Sequence, residues 1–188
     1  MSNLAKIRRI NVWGAPCSGK STVASWIFAE LKMRDIEVEY SPEYIKWWTF
    51  TNQSPRGLDQ IYVSATMLHQ EDLILKKDRA GILVTDCPIL LGCYYGVRNE
   101  VPGIESFIEI ATVFENVYPS LNIMLDPDGI DFTDTSRFHT KDESKNIQDQ
   151  LIVFLQQMGM EKRINNFRFL KTLKRDEILD YVLMVLGE

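Results

Sequence analysis

Gly14-Ala15-Pro16-Cys17-Ser18-Gly19-Lys20-Ser21-Thr22 matches the spacing G-x-x-x-x-G-K-[ST] at every fixed position, and its residue types suit one task, holding a phosphate chain. Gly14 and Gly19 permit a tight turn in which successive backbone N–H groups converge on one anion, where a side chain would block the approach. The helix expected next aims its unsatisfied amides and macrodipole at the same point. Lys20 is placed to reach the β- and γ-phosphates of a nucleotide, and the Ser21 hydroxyl to ligate the Mg²⁺ bridging them. Thr22 reads as a helix-start residue within the same turn. ATP with Mg²⁺ is therefore the ligand expected at residues 14–22.

A metal at Ser21 needs an acidic partner. The run Gly81 to Asp86 is apolar or neutral and ends in a carboxylate, the form of a buried parallel strand whose last residue emerges at the ligand edge. Asp126, at the end of Leu121 to Asp126, has the same form. Asp86 is preferred because a strand soon after the first crossover usually neighbours the loop strand. Glu43 lies beside Tyr44, Trp47, Trp48 and Phe50, a carboxylate among rings able to stack on a planar base. This cluster is expected to floor an acceptor pocket, with core or lid packing as the plainer reading. Arg137, in a polar, turn-rich segment, could neutralise charge developing on a transferring phosphoryl group. Arg98, read as a loop residue, and His69, read as helical, have simpler explanations as surface and structural side chains.

Such residues need elements to hold them. Ile7, Ile10, Val12 and Trp13 form a β-prone run ahead of the loop, and Val23, Ile27 and Leu31 recur at helical spacing after it. Residues 36–40 alternate, predicting a strand with Glu37 and Glu39 on one face, broken at Ser41-Pro42. A helix is predicted from about Leu58 to Lys77 with Ile61, Ala65 and Leu68 on one face. Another carries the stripe Ile104, Phe107, Ile108 and Ala111. Thr140 and Glu143 form a capping-box signal before Ile147, Leu151 and Phe154. Asn165 to Leu170 reads as a last strand, and Asp176 opens a final helix with Ile178, Val182 and Leu186 inward. Alternating strands and helices indicate a three-layer α/β domain over residues 1–188. Its expected core is a five-stranded parallel sheet in the order 2-3-1-4-5, with a small lid at approximately 127–143.

Composition narrows the class. A chain of 188 residues with 45% apolar content can bury a core, and a net charge of −5 gives no global field for nucleic acid or acidic lipid. No stretch approaches the roughly 20 apolar residues that span a bilayer, and the first residues lack a signal-peptide core, so a soluble, cytoplasmic protein is expected. Three cysteines without C-x-x-C spacing suit a reducing compartment. Self-association is left open.

In order along the chain, these features resemble a known family, P-loop kinases like the ribosylnicotinamide kinase domain of bacterial NAD-metabolism regulators, themselves similar to deoxynucleoside and nucleotide kinases. Beyond Gly14 to Ser21, the segment Glu39 to Tyr44 looks like that family's Glu-Tyr-x-Arg-Glu-aromatic run. His69-Gln70 matches its helical His-Gln, Thr85-Asp86 the end of its Asp-Thr-Asp strand, and Asp134 with Arg137 its lid motif. Pro42 stands where the family carries arginine, and Val84 where it carries the first aspartate. The resemblance therefore implies ATP-dependent phosphoryl transfer more strongly than it implies nicotinamide riboside as acceptor. It implies a phosphotransferase moving the γ-phosphoryl of ATP to a nucleoside-like or nucleotide acceptor. Lys20 and Arg137 would neutralise charge, and Ser21 and Asp86 would hold Mg²⁺. Glu43 or Asp86 would accept the acceptor's proton, with Glu39 a weaker candidate. Two alternatives stand beside it: a kinase acting on a modified base hydroxyl in DNA, and an ATPase or nucleotide-dependent switch without a small acceptor. The acidic pI counts mildly against the polymer.

Overall fold

β-Branched and aromatic side chains build the first strand, β1 (Arg9–Trp13), in which every residue is buried. In the computed structural model, which describes residues 7–76, 81–125, 141–157, 169–171 and 175–187, the chain then alternates helix and strand. Helix α1 (Lys20–Lys32) leads to β2 (Val38–Ser41), a short α2 (Lys46–Phe50) and α3 (Asp59–Leu75). Strand β3 (Ile82–Thr85) is followed by α4 (Ile89–Arg98), α5 (Ile104–Val117) and β4 (Ser120–Met124). Helix α6 (Lys141–Gln157), β5 (Phe169–Lys171) and α7 (Arg175–Leu186) complete the described chain.

Four strands run parallel in the order β2-β3-β1-β4, and the three-residue β5 joins the sheet outside β4. The order of the first four is that expected from the sequence. Successive side chains leave a strand on opposite faces, so a sheet covered twice needs apolar residues on both. Ile10, Val12, Val84 and Ile123 pack with Val23, Ile27 and Leu31 of α1 and Ile178 and Val182 of α7. Trp13, Leu83 and Met124 pack on the other side with α3, α4, α5 and α6. Each fully buried Leu or Ile in these layers contributes about 1.5–3 kcal/mol relative to exposure.

The second layer also holds charge. Arg9, Glu71 and Glu115 are all fully buried, Arg9 Nη1 lying 3.2 Å from Glu71 Oε2 and Nη2 reaching Glu115 Oε2. Its Nε donates to the Tyr118 carbonyl at 3.1 Å, and the guanidinium stands over the Phe114 ring. Polar contacts continue from there. Ser120 Oγ donates to Glu115 at 2.8 Å, Asn122 Nδ2 donates to Ser120 Oγ, and Asn122 Oδ1 accepts from both Asn11 and Trp13. One cation serves two carboxylates, and burial, against the opposing pull of Arg9, raises the Glu71 carboxyl to about 7.

A carboxyl raised on folding stabilises the native state fully below its unfolded value near 4.5, and that contribution is lost as pH rises through about 7. Glu71→Gln removes the titration while keeping the shape. The melting temperature of the variant minus that of the wild type is expected to climb between pH 4.5 and 7 and then level off. A difference that stays flat across that window, measured by calorimetry in matched buffers, would reject the titration.

Some expected boundaries and faces shift. The buried face of α3 is Gln60, Val63, Ser64, Met67, Glu71 and Leu75, while Ala65 is exposed and Ile61 and Leu68 only partly covered. The apolar spacing misled because three buried positions on this face are polar. Residues 141–143, expected as the end of a lid, form the first turn of α6; residues 127–140 lie outside the described residues. Arg98 is the last residue of α4 rather than a loop residue.

Candidate functional site

Between β1 and α1 the backbone bends through left-handed conformations. Gly14 has φ +149°, Cys17 +65° and Gly19 +82°. A Cβ at Gly14 would lie 2.3 Å from Ser18 Oγ, so only glycine lets the turn close on itself. Gly19 is the N-cap of α1, and Val23 N–H reaches its carbonyl at 3.0 Å. The amides ahead of Val23 thus form a helix N-terminus, whose first-turn N–H groups lack intrahelical acceptors and attract anions. Lys20 Nζ donates to the Ala15 carbonyl at 2.8 Å and so arches over the loop.

The loop is braced from a distance. Gln148 of α6 accepts the Ala15 N–H at 2.7 Å and donates to the Leu125 carbonyl, just past β4, at 3.0 Å. Ser144, one turn earlier, donates to the Pro16 carbonyl.

Beside the loop, β3 ends at Thr85 and delivers Asp86, 2% exposed, to the carboxyl edge of the sheet. Its Oδ1 accepts the backbone N–H of Glu43 at 2.9 Å. Tyr40, at the end of β2, hydrogen-bonds both Ser25 and Asp86, and burial followed by the Asp86 charge pushes its phenol well above the ordinary range. Cys87 is raised in the same way, by burial first and then by the charges of Glu43 and Asp86, with Lys20 opposing them. Lys20, Glu43, Asp86 and Cys87 therefore share one electrostatic neighbourhood.

That neighbourhood opens into a cavity of about 530 Å³. Pro16 and Lys20 line one part of it; Glu43, Lys46, Gln60 and Tyr95 line others. Its walls come from α2, α3 and α4. Gly92 lets α4 approach α3, since a Cβ there would stand 2.2 Å from Ser64 Oγ.

With this geometry in view, a sequence profile of the family described as AAA domain matches residues 9–166. The chain belongs to the AAA domain family. The match takes in β1, the loop, α1 and all the cavity walls. A crystal structure of NadR protein in complex with NR superposes with a TM-score of 0.69 at 14% identity, covering 97% of this chain. The chain spans 52% of that neighbour's length, and at this identity the likeness is one of fold. No curated protein matches in sequence.

Within this AAA domain, the structure brings together residues 14–22, Glu43 and Asp86. Arg137 and Asp126 lie outside the described residues. The aromatic cluster does not floor the cavity. Trp47 and Phe50 are 70% and 63% exposed and lie with their rings 6.4 Å apart, while Ile45, Lys46 and Thr49 turn inward. Residues 46–50 make a helical turn, so the rings at 47 and 50 share one side, and here it is the outer one. Glu39, a weaker candidate base, is exposed and paired with Lys32 at 3.2 Å, away from the cavity lining. His69 and Gln70 are exposed on α3. Arg98 does line the cavity, and its Nη1 donates to Tyr94 Oη and Gln150 Oε1. Sequence reasoning missed Lys46, Gln60, Ser64 and Tyr95. The available signal was Gln60 and Ser64 at i, i+4, interleaved with the apolar Val63 and Met67.

No helix among the described residues is long and apolar enough to cross a membrane.

Proposed function

We propose that this AAA domain transfers the γ-phosphoryl of ATP to a hydroxyl or phosphate of a nucleoside-like acceptor. The observation that carries the reading is the continuity of the cavity, in which Lys20 of the loop and Glu43 border the same void as Gln60 and Tyr95 of the helical walls. A nucleotide switch or ATPase has no need of a second compartment opening on its lysine. Phosphoryl transfer does, because it proceeds mainly by aligning donor and acceptor and by stabilising spread charge.

The residues present fit the donor. The Gly14 turn is a cradle that a Cβ would fill, and the donor set is cationic and amide-rich at the α1 terminus. Ser21, one residue into α1, and Asp86 would hold Mg²⁺, which would supply positive charge to offset that of the phosphates. Lys20 would contact the transferring group from the loop. Glu43, lining the cavity beside Lys20, would orient the acceptor hydroxyl and take its proton. Arg137 is retained in this proposal as a second cation on the phosphoryl oxygens.

Turnover of ATP with and without a panel of nucleosides and nucleoside monophosphates tests the reading. Acceptor-dependent ADP formation with a phosphorylated product is expected. Hydrolysis that ignores every acceptor would move the assignment to an ATPase.

A second reading has its own observation. The outer side of the cavity wall carries exposed Trp47, Phe50, Leu58 and Tyr62, with Lys46 on the inner side. Exposed rings stack on bases, so a kinase acting on a modified base hydroxyl in DNA would find a platform there for neighbouring nucleotides. Comparing a 5-hydroxymethylated pyrimidine as free nucleoside and within an oligonucleotide separates the two. Preference for the oligonucleotide, lost in a Trp47→Ala variant, favours the polymer.

A further inference from the structure

The cavity wall contributed by α3 is apolar except at one pair of side chains. Gln60 and Ser64 are only 7% and 3% exposed, yet both line the cavity, between Val63 and Met67 of their own helix and Leu91 across from them. Gln60 Nε2 donates to Ser64 Oγ at 3.2 Å, which fixes the carboxamide plane. Gly92 leaves the space in which Ser64 Oγ sits. Among the described residues no donor pairs with Gln60 Oε1, and that atom is not sealed in the interior either. A carbonyl oxygen and one N–H of a nearly buried amide therefore open on the void. An occupant that displaces water from such groups must replace the hydrogen bonds it takes away, so a wall built this way favours a ligand with a matching donor and acceptor.

We propose that Gln60, steadied by Ser64, is the specificity-determining residue of the cavity and reads an amide-type edge, an N–H beside an acceptor atom, on the heterocycle of the bound molecule. The inference rests on the reading of this void as the acceptor pocket. Glutamine has a donor and an acceptor side by side and pairs with such an edge through two hydrogen bonds. A ligand of the same outline with the N–H blocked would leave Oε1 facing an apolar group. Loss of a hydrogen bond in a site made for it discriminates far better than a change in apolar bulk. Helix α3 is set by the α3–α4 packing around Gly92, so the amide is presented by a rigid element and not by a loop.

The test is direct binding by calorimetry with a non-hydrolysable ATP analogue present. Three matched pairs serve as probes: thymidine and N3-methylthymidine, inosine and 1-methylinosine, nicotinamide riboside and its N,N-dimethyl carboxamide. The wild type is expected to bind at least one unmethylated member about 10- to 100-fold more tightly than its blocked partner. Gln60→Leu should weaken the unmethylated member by a similar factor and erase the difference, leaving affinity for the ATP analogue unaltered. Gln60→Glu, which keeps the shape and an acceptor for the ligand N–H but has no N–H to give, guards against a folding defect and should bind the unmethylated member more weakly than the wild type while still preferring it to the blocked partner. Binding of no unmethylated probe by the wild type, or discrimination that survives in Gln60→Leu, overturns the proposal. Discriminating binding without phosphoryl transfer would instead sink the kinase reading and leave the role of Gln60 standing.

Discussion

Lys20→Ala is expected to lower acceptor phosphorylation by about 10³-fold while leaving a folded protein. The loss is large because Nζ stands over the loop and borders the same cavity as Glu43, where charge on the transferring group must be met. Water entering the space left by the side chain cannot supply a fixed positive charge. The structural cost is small: the side chain is half-buried, and its bond to the Ala15 carbonyl contributes about 1 kcal/mol. Lys20→Arg should be nearly as inactive, since a planar fork does not replace a point charge on a flexible stem. Product formation at saturating ATP and a thermal melt of each variant check both halves. Undiminished product in Lys20→Ala would remove the loop from the chemistry.

The second large effect concerns stability. Arg9→Met should destabilise the fold by about 3–5 kcal/mol, because Glu71 and Glu115 would be left buried without their shared cation. In a chain of this length the melting temperature should drop by roughly 10 °C. The cost comes from the orphaned carboxylates, not from the lost packing of the guanidinium. Replacing all three residues with apolar side chains of similar size should therefore recover most of it. A triple variant no more stable than Arg9→Met would show that the packing of Arg9 on Phe114 carries the energy instead.

Much of the scaffold could be read from the chain because its signals are local. The glycines of residues 14–22 permit a tight turn that other residues would resist, and the apolar runs at β1, β3 and β4 have nowhere to go but a doubly covered sheet. Asp86 was legible as the residue after a buried run. The cavity wall was less so. Trp47 and Phe50 follow a strand and carry rings able to stack on a base, which suggested a pocket floor; which side of a one-turn helix faces inward is a tertiary fact. Gln60 and Ser64 were overlooked for the opposite reason, since polar residues on a helix read as surface until a neighbouring helix covers them. The Arg9 cluster was invisible for a similar cause: its three members lie on β1, α3 and α5, more than forty positions apart between any two.

Gln148 braces the proposed nucleotide-binding turn from outside it. Its carboxamide rivets the rim of the glycine turn to the end of the neighbouring strand, so the curvature of the turn is inherited from the opposite half of the molecule. A peptide copying residues 9–32 would carry the glycines, the lysine and the serine, yet it would be a limp ribbon with no imposed bend. The motif names the parts; the far helix holds them in the form of a vice.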